Sequence, residues 1–149
     1  MINIENLTNF TVNRGLLEDI AKVLLEASHS KEIDLTLCDN QTIQTYNREY
    51  RGKDSPTDVL SFPIESDMIV GMDMFPLGSI VISTDFVITK AKEFQHTPND
   101  ELSLLFIHGM LHLLGFDHEI DDGEMREKEA EIIQQFHLPK SLIIRTEEC

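Results

Sequence analysis

The stretch TPNDELSLLFIHGMLHLLGFDH, residues 97–118, carries a helix start, a helix stop and three histidines in one segment. Thr97 has the short hydroxyl of an N-cap, Pro98 suits the first helical position, and Asp100 sits where an acid favours the capping geometry and the helix dipole. Gly115 suits the left-handed residue at which helices stop. The sequence therefore predicts a helix through ELSLLFIHGMLHLL, with His118 just beyond its closing turn.

Working outward, elements of both kinds alternate. INIEN (2–6) reads as a short opening strand, and residues 12–29 carry Leu16, Leu17, Ile20, Val23, Leu24 and Ala27 at helical spacing. EIDLTLCD (32–39) alternates Ile33, Leu35 and Leu37 with polar neighbours, as a half-buried strand does, and residues 40–52 read as a helix capped by Asp39 or Asn40. TDVLSFPIE (57–65) and GSIVISTD (78–85) are further strands, separated by a methionine-rich loop. Helices follow over about 84–96 and over 123–137, the last ending before Pro139. The expected architecture is α+β, a small mixed β-sheet packed with about five helices in a single domain spanning 1–149.

Composition narrows the function. The chain has 149 residues, enough for one sizeable core, and its opening residues have neither a basic nor an apolar leader segment. No stretch reaches the roughly 18 apolar residues of a membrane span, so the expectation is a cytoplasmic protein with no membrane partner. Cys38 in an apolar run and Cys149 fit neither a disulfide framework nor a paired-cysteine zinc motif. A net charge of −15 argues against a general nucleic-acid-binding surface, although Arg48, Arg51 and Lys53 form a local basic group. The acidic run at 117–131 fails the EF-hand pattern, because counting from Asp117 the glycine and glutamate positions hold Asp122 and Lys128. It reads as a solvated helix face.

Residues four apart on a helix share a face, so His108 and His112 present their imidazoles to one point. Gly115 lets the chain turn back, and His118 approaches the same point from the side. Three histidines and an open fourth position are the pattern of a catalytic zinc site, whereas structural sites usually close all four positions with protein. Six histidines in 149 residues would produce this spacing by chance on the order of 0.01 times. His29, His96 and His137 stand at element ends and read as surface residues.

The same histidine and glycine spacing occurs in metzincin proteases, but those place a glutamate base directly after the first histidine. Here that position is Gly109, which either opens space beside the metal or allows close helix packing. A metal-dependent peptidase therefore needs a base from elsewhere. A ribosome-associated binding factor with structural zinc is a third alternative.

HGMLHLLGFDH (108–118) together with YRGKDSPTDVLSFP (50–63) resembles the YbeY family of bacterial rRNA-maturation endoribonucleases. The resemblance implies one zinc ion per chain on His108, His112 and His118, with Arg51 acting in catalysis or RNA contact. It implies a single-strand endoribonuclease working in 16S rRNA 3′ end processing and ribosome quality control, with rRNA in a ribosomal particle as substrate and a ribosomal protein or GTPase as partner. Two positions depart from the family pattern: Phe116 stands where tyrosine is common, and Ser79 where aspartate is common. Zinc polarises a phosphoryl oxygen and lowers the pKa of bound water towards about 7, and Arg51 offers a planar pair of donors to a phosphate. Thr57 and Asp58 either cap a turn or hold a histidine's free ring nitrogen, and Asp117 is either a solvated acid or a similar partner.

Overall fold

A computed structural model describes residues 2–25, 31–63, 75–117 and 120–139. These residues form β1 (Ile2–Asn6), α1 (Arg14–Leu25), β2 (Lys31–Cys38), α2 (Asn40–Arg51), β3 (Val59–Pro63), β4 (Phe75–Ser83), α3 (Thr84–Glu93), α4 (Pro98–Leu113) and α5 (Glu124–Gln135). The sheet order is β1-β2-β4-β3, with β1, β2 and β4 parallel and β3 antiparallel to β4. The expected α+β architecture, mixed sheet and five helices are present. His118 and nearly all of the methionine-rich loop lie outside the described residues.

The sheet has two different faces because side chains alternate along each strand. Ile33, Leu35 and Leu37 of β2 and Ile80 and Ile82 of β4 join α1, α4 and α5 in the main core. Cys38, Leu60 and Val81 point the other way and form a smaller cluster with Ile43 of α2. α4 is buried along most of its circumference, packing on α1, α3, α5 and the sheet. Its residues therefore sit at the centre of the molecule, and anything polar on it needs a partner.

Capping fixes where the helices begin. Asp39, not Asn40, caps α2, its carboxylate accepting the Thr42 N–H at 2.8 Å. That bond holds the Asp39 carboxyl below the usual carboxylate range. Asn40 instead accepts the Ser83 hydroxyl proton at 2.7 Å, joining the start of α2 to the end of β4. Thr97 caps α4 by accepting the Asp100 N–H at 3.1 Å, as its sequence position required. The strand expected at 78–85 starts earlier and ends at Ser83, because the Ser83 side chain caps α3 by accepting from Phe86 N–H.

Candidate active site

α4 ends in a Schellman motif. Phe116 N–H donates to Leu111 O at 2.9 Å and Gly115 N–H to His112 O at 3.1 Å, with Gly115 at φ 98°. This closes the helix immediately after His112 and turns the chain back over the histidine face. His118, the next residue after Asp117, lies outside the described residues.

His108 and His112 occupy successive turns of α4 and face each other, their Nε2 atoms 3.2 Å apart and their rings crossing at 76°. Two nitrogens bound about 2.05 Å from one tetrahedral ion stand about 3.3 Å apart, so the pair is spaced as two ligands of one metal ion. Among the described residues no set of three His, Cys, Asp or Glu side chains is grouped to hold a metal.

His108 is oriented from behind. Its Nδ1 lies 3.2 Å from Oε2 of Glu129 on α5, whose side chain is 1% exposed. A carboxylate accepts the Nδ1 proton and leaves the lone pair on Nε2, facing His112. Glu129 was not singled out from sequence, and the reading of residues 117–131 as a solvated face is wrong at this position. The signal was present: Met125, Glu129, Ile132 and Ile133 share one helical stripe, and all four are buried. A carboxylate inside an apolar stripe demands a partner, because burying an unpaired charge costs several kcal/mol. Another acid of the same run also works structurally, Asp121 accepting the N–H groups of Gly123 and Met125 at 2.9 and 3.0 Å.

The two histidines open onto a cleft of about 570 Å3. Arg51, Asp58, Ser61 and Asp117 line it as well. Arg51 arrives as the last residue of α2, which stops at Gly52 in the left-handed conformation at φ 72°. Buried Asn47 anchors the following loop, its amide donating to Ser55 O at 2.9 Å. The basic trio divides here: Arg51 lines the cleft, whereas Arg48 pairs with Asp54 at 3.6 Å.

Thr57 and Asp58 serve the turn. Asp58 accepts the Val59 N–H at 2.8 Å and the Thr57 hydroxyl at 3.4 Å, and among the described residues neither bonds a histidine. Gly109 is explained by packing. A Cβ there would lie 3.1 Å from Ile80 Cγ2 and 3.2 Å from Ser61 Oγ, and the Ser61 hydroxyl donates to Gly109 O at 3.2 Å. Residue 109 thus presses on the sheet and opens no space beside a metal; the same crowding leaves no room for a protease-type glutamate. Ser79 lies on the opposite sheet face from the histidines, paired with Phe62 of β3, so the missing aspartate is not a neighbour of the cleft. His96 is not a surface residue: its side chain is 8% exposed and its Nε2 is 2.7 Å from Glu101 of α4, where the chain folds back between α3 and α4.

Residues 3–137 match the family model described as Endoribonuclease YbeY. The chain belongs to the endoribonuclease YbeY family. It is 57% identical over 145 residues to an endoribonuclease YbeY of Aliarcobacter butzleri, covering 97% of this chain and 99% of that one. A Sulfurovum relative of the same name is 54% identical over 149 residues, covering 99% of this chain and 98% of its own. A Thermotoga maritima protein solved in solution shares the fold at a TM-score of 0.61 and 30% identity, over 91% of this chain and 88% of that one. Within the YbeY family frame, the cleft combines residues of both stretches that suggested the resemblance, Arg51, Asp58, Ser61 and Pro63 from one and His108, His112 and Asp117 from the other.

Proposed function

We propose that the endoribonuclease activity of this family is carried out here in the histidine cleft, with zinc held by His108, His112 and His118, on single-stranded RNA of rRNA precursors. The observation that carries the reading is the convergence of the His108 and His112 Nε2 atoms at 3.2 Å on the wall of a cleft that Arg51 also lines. Zinc supplies, when bound, Lewis acidity for a phosphoryl oxygen or for water. Glu129 keeps the Nδ1 proton on His108 and so keeps Nε2 available as a ligand. Arg51 presents guanidinium N–H groups to a non-bridging phosphate oxygen, and its interaction strengthens as negative charge builds there. The buried position of His108 and Glu129 shields their contact from bulk water, which strengthens the electrostatic interaction between them.

A net charge of −15 weakens the capture of free RNA at long range. The natural substrate is therefore RNA presented in a ribosomal particle in the cytoplasm, where a ribosomal protein or GTPase partner replaces the missing attraction by tethering. Among the described residues no helix is long and apolar enough to cross a membrane.

The test compares zinc-quantified protein with a His108→Ala, His112→Ala double variant, purified identically, on labelled single-stranded RNA at low salt. Cleavage that tracks zinc content and vanishes in the variant supports the reading. Equal cleavage by both preparations, or inactivity of the zinc-loaded parent on both free RNA and ribosomal particles, overturns it.

A further inference from the structure

A second depression lies on the opposite face of the sheet. Along β3, Val59, Ser61 and Pro63 line the histidine cleft while Leu60 and Phe62 turn towards α2. There Thr36, Tyr46, Tyr50, Phe62, Ser79 and Val81 line a groove of about 320 Å3. Its wall is aromatic. Tyr46 and Tyr50, one helical turn apart on α2, stack with centroids 6.1 Å apart at 21°, and Tyr50 meets Phe62 edge-on at 5.5 Å. Tyr50 is nonetheless 66% exposed.

The groove and the cleft lie on opposite faces of the sheet but are lined by consecutive residues of the chain. Tyr50 directly precedes Arg51, and Phe62 stands between Ser61 and Pro63, so one strand and one helix end supply both depressions. At that helix end Arg51 faces the cleft while Arg48 is paired with Asp54, on a chain that is strongly acidic as a whole.

We propose that the Tyr46–Tyr50–Phe62 shelf stacks an unpaired base of the RNA strand whose phosphate lies in the histidine cleft, an inference that rests on the ribonuclease reading above. Exposed aromatic rings beside cations are the pairing that single-stranded nucleic acid uses, the rings taking bases of any sequence and the cations taking the adjoining phosphates. Tyr50 and Arg51 are consecutive, so a base on the shelf and a phosphate in the cleft can belong to one strand, and the positive charge of Arg51 suits a polyanion better than a neutral protein segment. The arrangement also selects against duplex RNA, whose bases are already stacked.

The chain has no tryptophan, so Tyr50→Trp installs a single fluorescent reporter at an exposed position. The probe is a single-stranded oligoribonucleotide at low salt, added to the zinc-loaded full chain. The expected results are quenching of the Tyr50→Trp emission by the single strand and much less quenching by the same sequence annealed to its complement. Tyr50→Ala raises KM for cleavage about five- to 150-fold with kcat changed far less, and Tyr50→Phe stays within about twofold of the parent. An unchanged KM in Tyr50→Ala together with unmoved Tyr50→Trp emission overturns the shelf while leaving the ribonuclease reading intact. A parent that neither binds nor cuts the strand overturns both. An unchanged KM on free RNA but lost association with ribosomal particles makes the groove a protein-docking surface and also overturns the proposal.

Discussion

Replacing Glu129 by glutamine tests whether the cleft is organised from its buried side. Glu129 and glutamine have nearly the same volume, so packing against α4 is retained and the change falls on the 3.2 Å contact with His108 Nδ1. A hydrogen bond to a charged acceptor is worth about 1.5–3 kcal/mol, against about 0.5–1.5 for a neutral one, which leaves a loss of about 1–1.5 kcal/mol in holding the imidazole. At about 1.4 kcal/mol per tenfold, zinc affinity falls about five- to twelvefold from this cause alone. An amide that turns its NH2 towards Nδ1 also favours the wrong tautomer, with the proton on Nε2, and carries the loss towards the hundredfold end of the range seen for such partners.

Competition with a chelator of known affinity measures the zinc Kd directly, and thermal melts of the metal-free proteins separate binding from folding. The metal-free variant should melt within a few degrees of the parent, because removing a buried charge also removes its desolvation cost. A zinc Kd within twofold of the parent would refute the positioning role of Glu129. A large loss of metal-free stability would assign the residue to the core instead.

Four further perturbations test the same fold and site. Gly109→Ala drives a methyl to about 3.1–3.3 Å from Ile80 and Ser61 and should cost about 1–3 kcal/mol in a denaturant titration despite alanine's better helix propensity. Gly115→Ala meets no neighbouring atom but sits at φ 98°; it should cost about 1–2 kcal/mol and loosen zinc binding in the chelator assay, since the turn that leads to His118 is strained. Cys38 is buried, and desolvation with the nearby charges of Asp39 and Asp85 raises its thiol from 9.0 to about 11. Its contribution to stability is complete below about pH 9 and declines as pH rises towards 11, and mass spectrometry of the folded protein at pH 8 should find Cys38 unalkylated. Removing zinc with a chelator should abolish cleavage and weaken capture of single-stranded RNA in a filter-binding assay, with readdition restoring both.

Much of the architecture was legible because local signals agreed with one another. Thr97, Pro98 and Gly115 bracket α4, and the alternation in residues 32–38 marks a strand with one face in each core. The His108–His112 pairing follows from a single helical turn. What was not legible depended on contacts between distant segments. Glu129 lies 21 residues from His108, in a run whose charge density suggested solvent, and only the apolar stripe of Met125, Ile132 and Ile133 hinted otherwise. His96 likewise looked exposed at a helix end, but the fold brings it onto Glu101 in the first turn of α4. The role of Gly109 could be decided only by the distance between α4 and β4, which no local pattern encodes.

The direction of the helices explains why cations must do the recognition in this cleft. His112 lies in the last turn of α4 and Arg51 is the last residue of α2, so both helices point their carbonyl ends towards the site. Those ends carry about half a negative charge each, which favours a metal ion and a guanidinium and opposes a phosphate. Phosphate sites built on helix N-termini use backbone N–H groups as donors; these two helix ends offer none. On the proposed reading, an anionic substrate is attracted through groups the helix ends themselves would stabilise, the side chain of Arg51 and a metal ion held by the histidines. The acidity of the remaining surface is compatible with this design because attraction at the cleft is short-ranged, acting once RNA has been brought there rather than drawing it from solution.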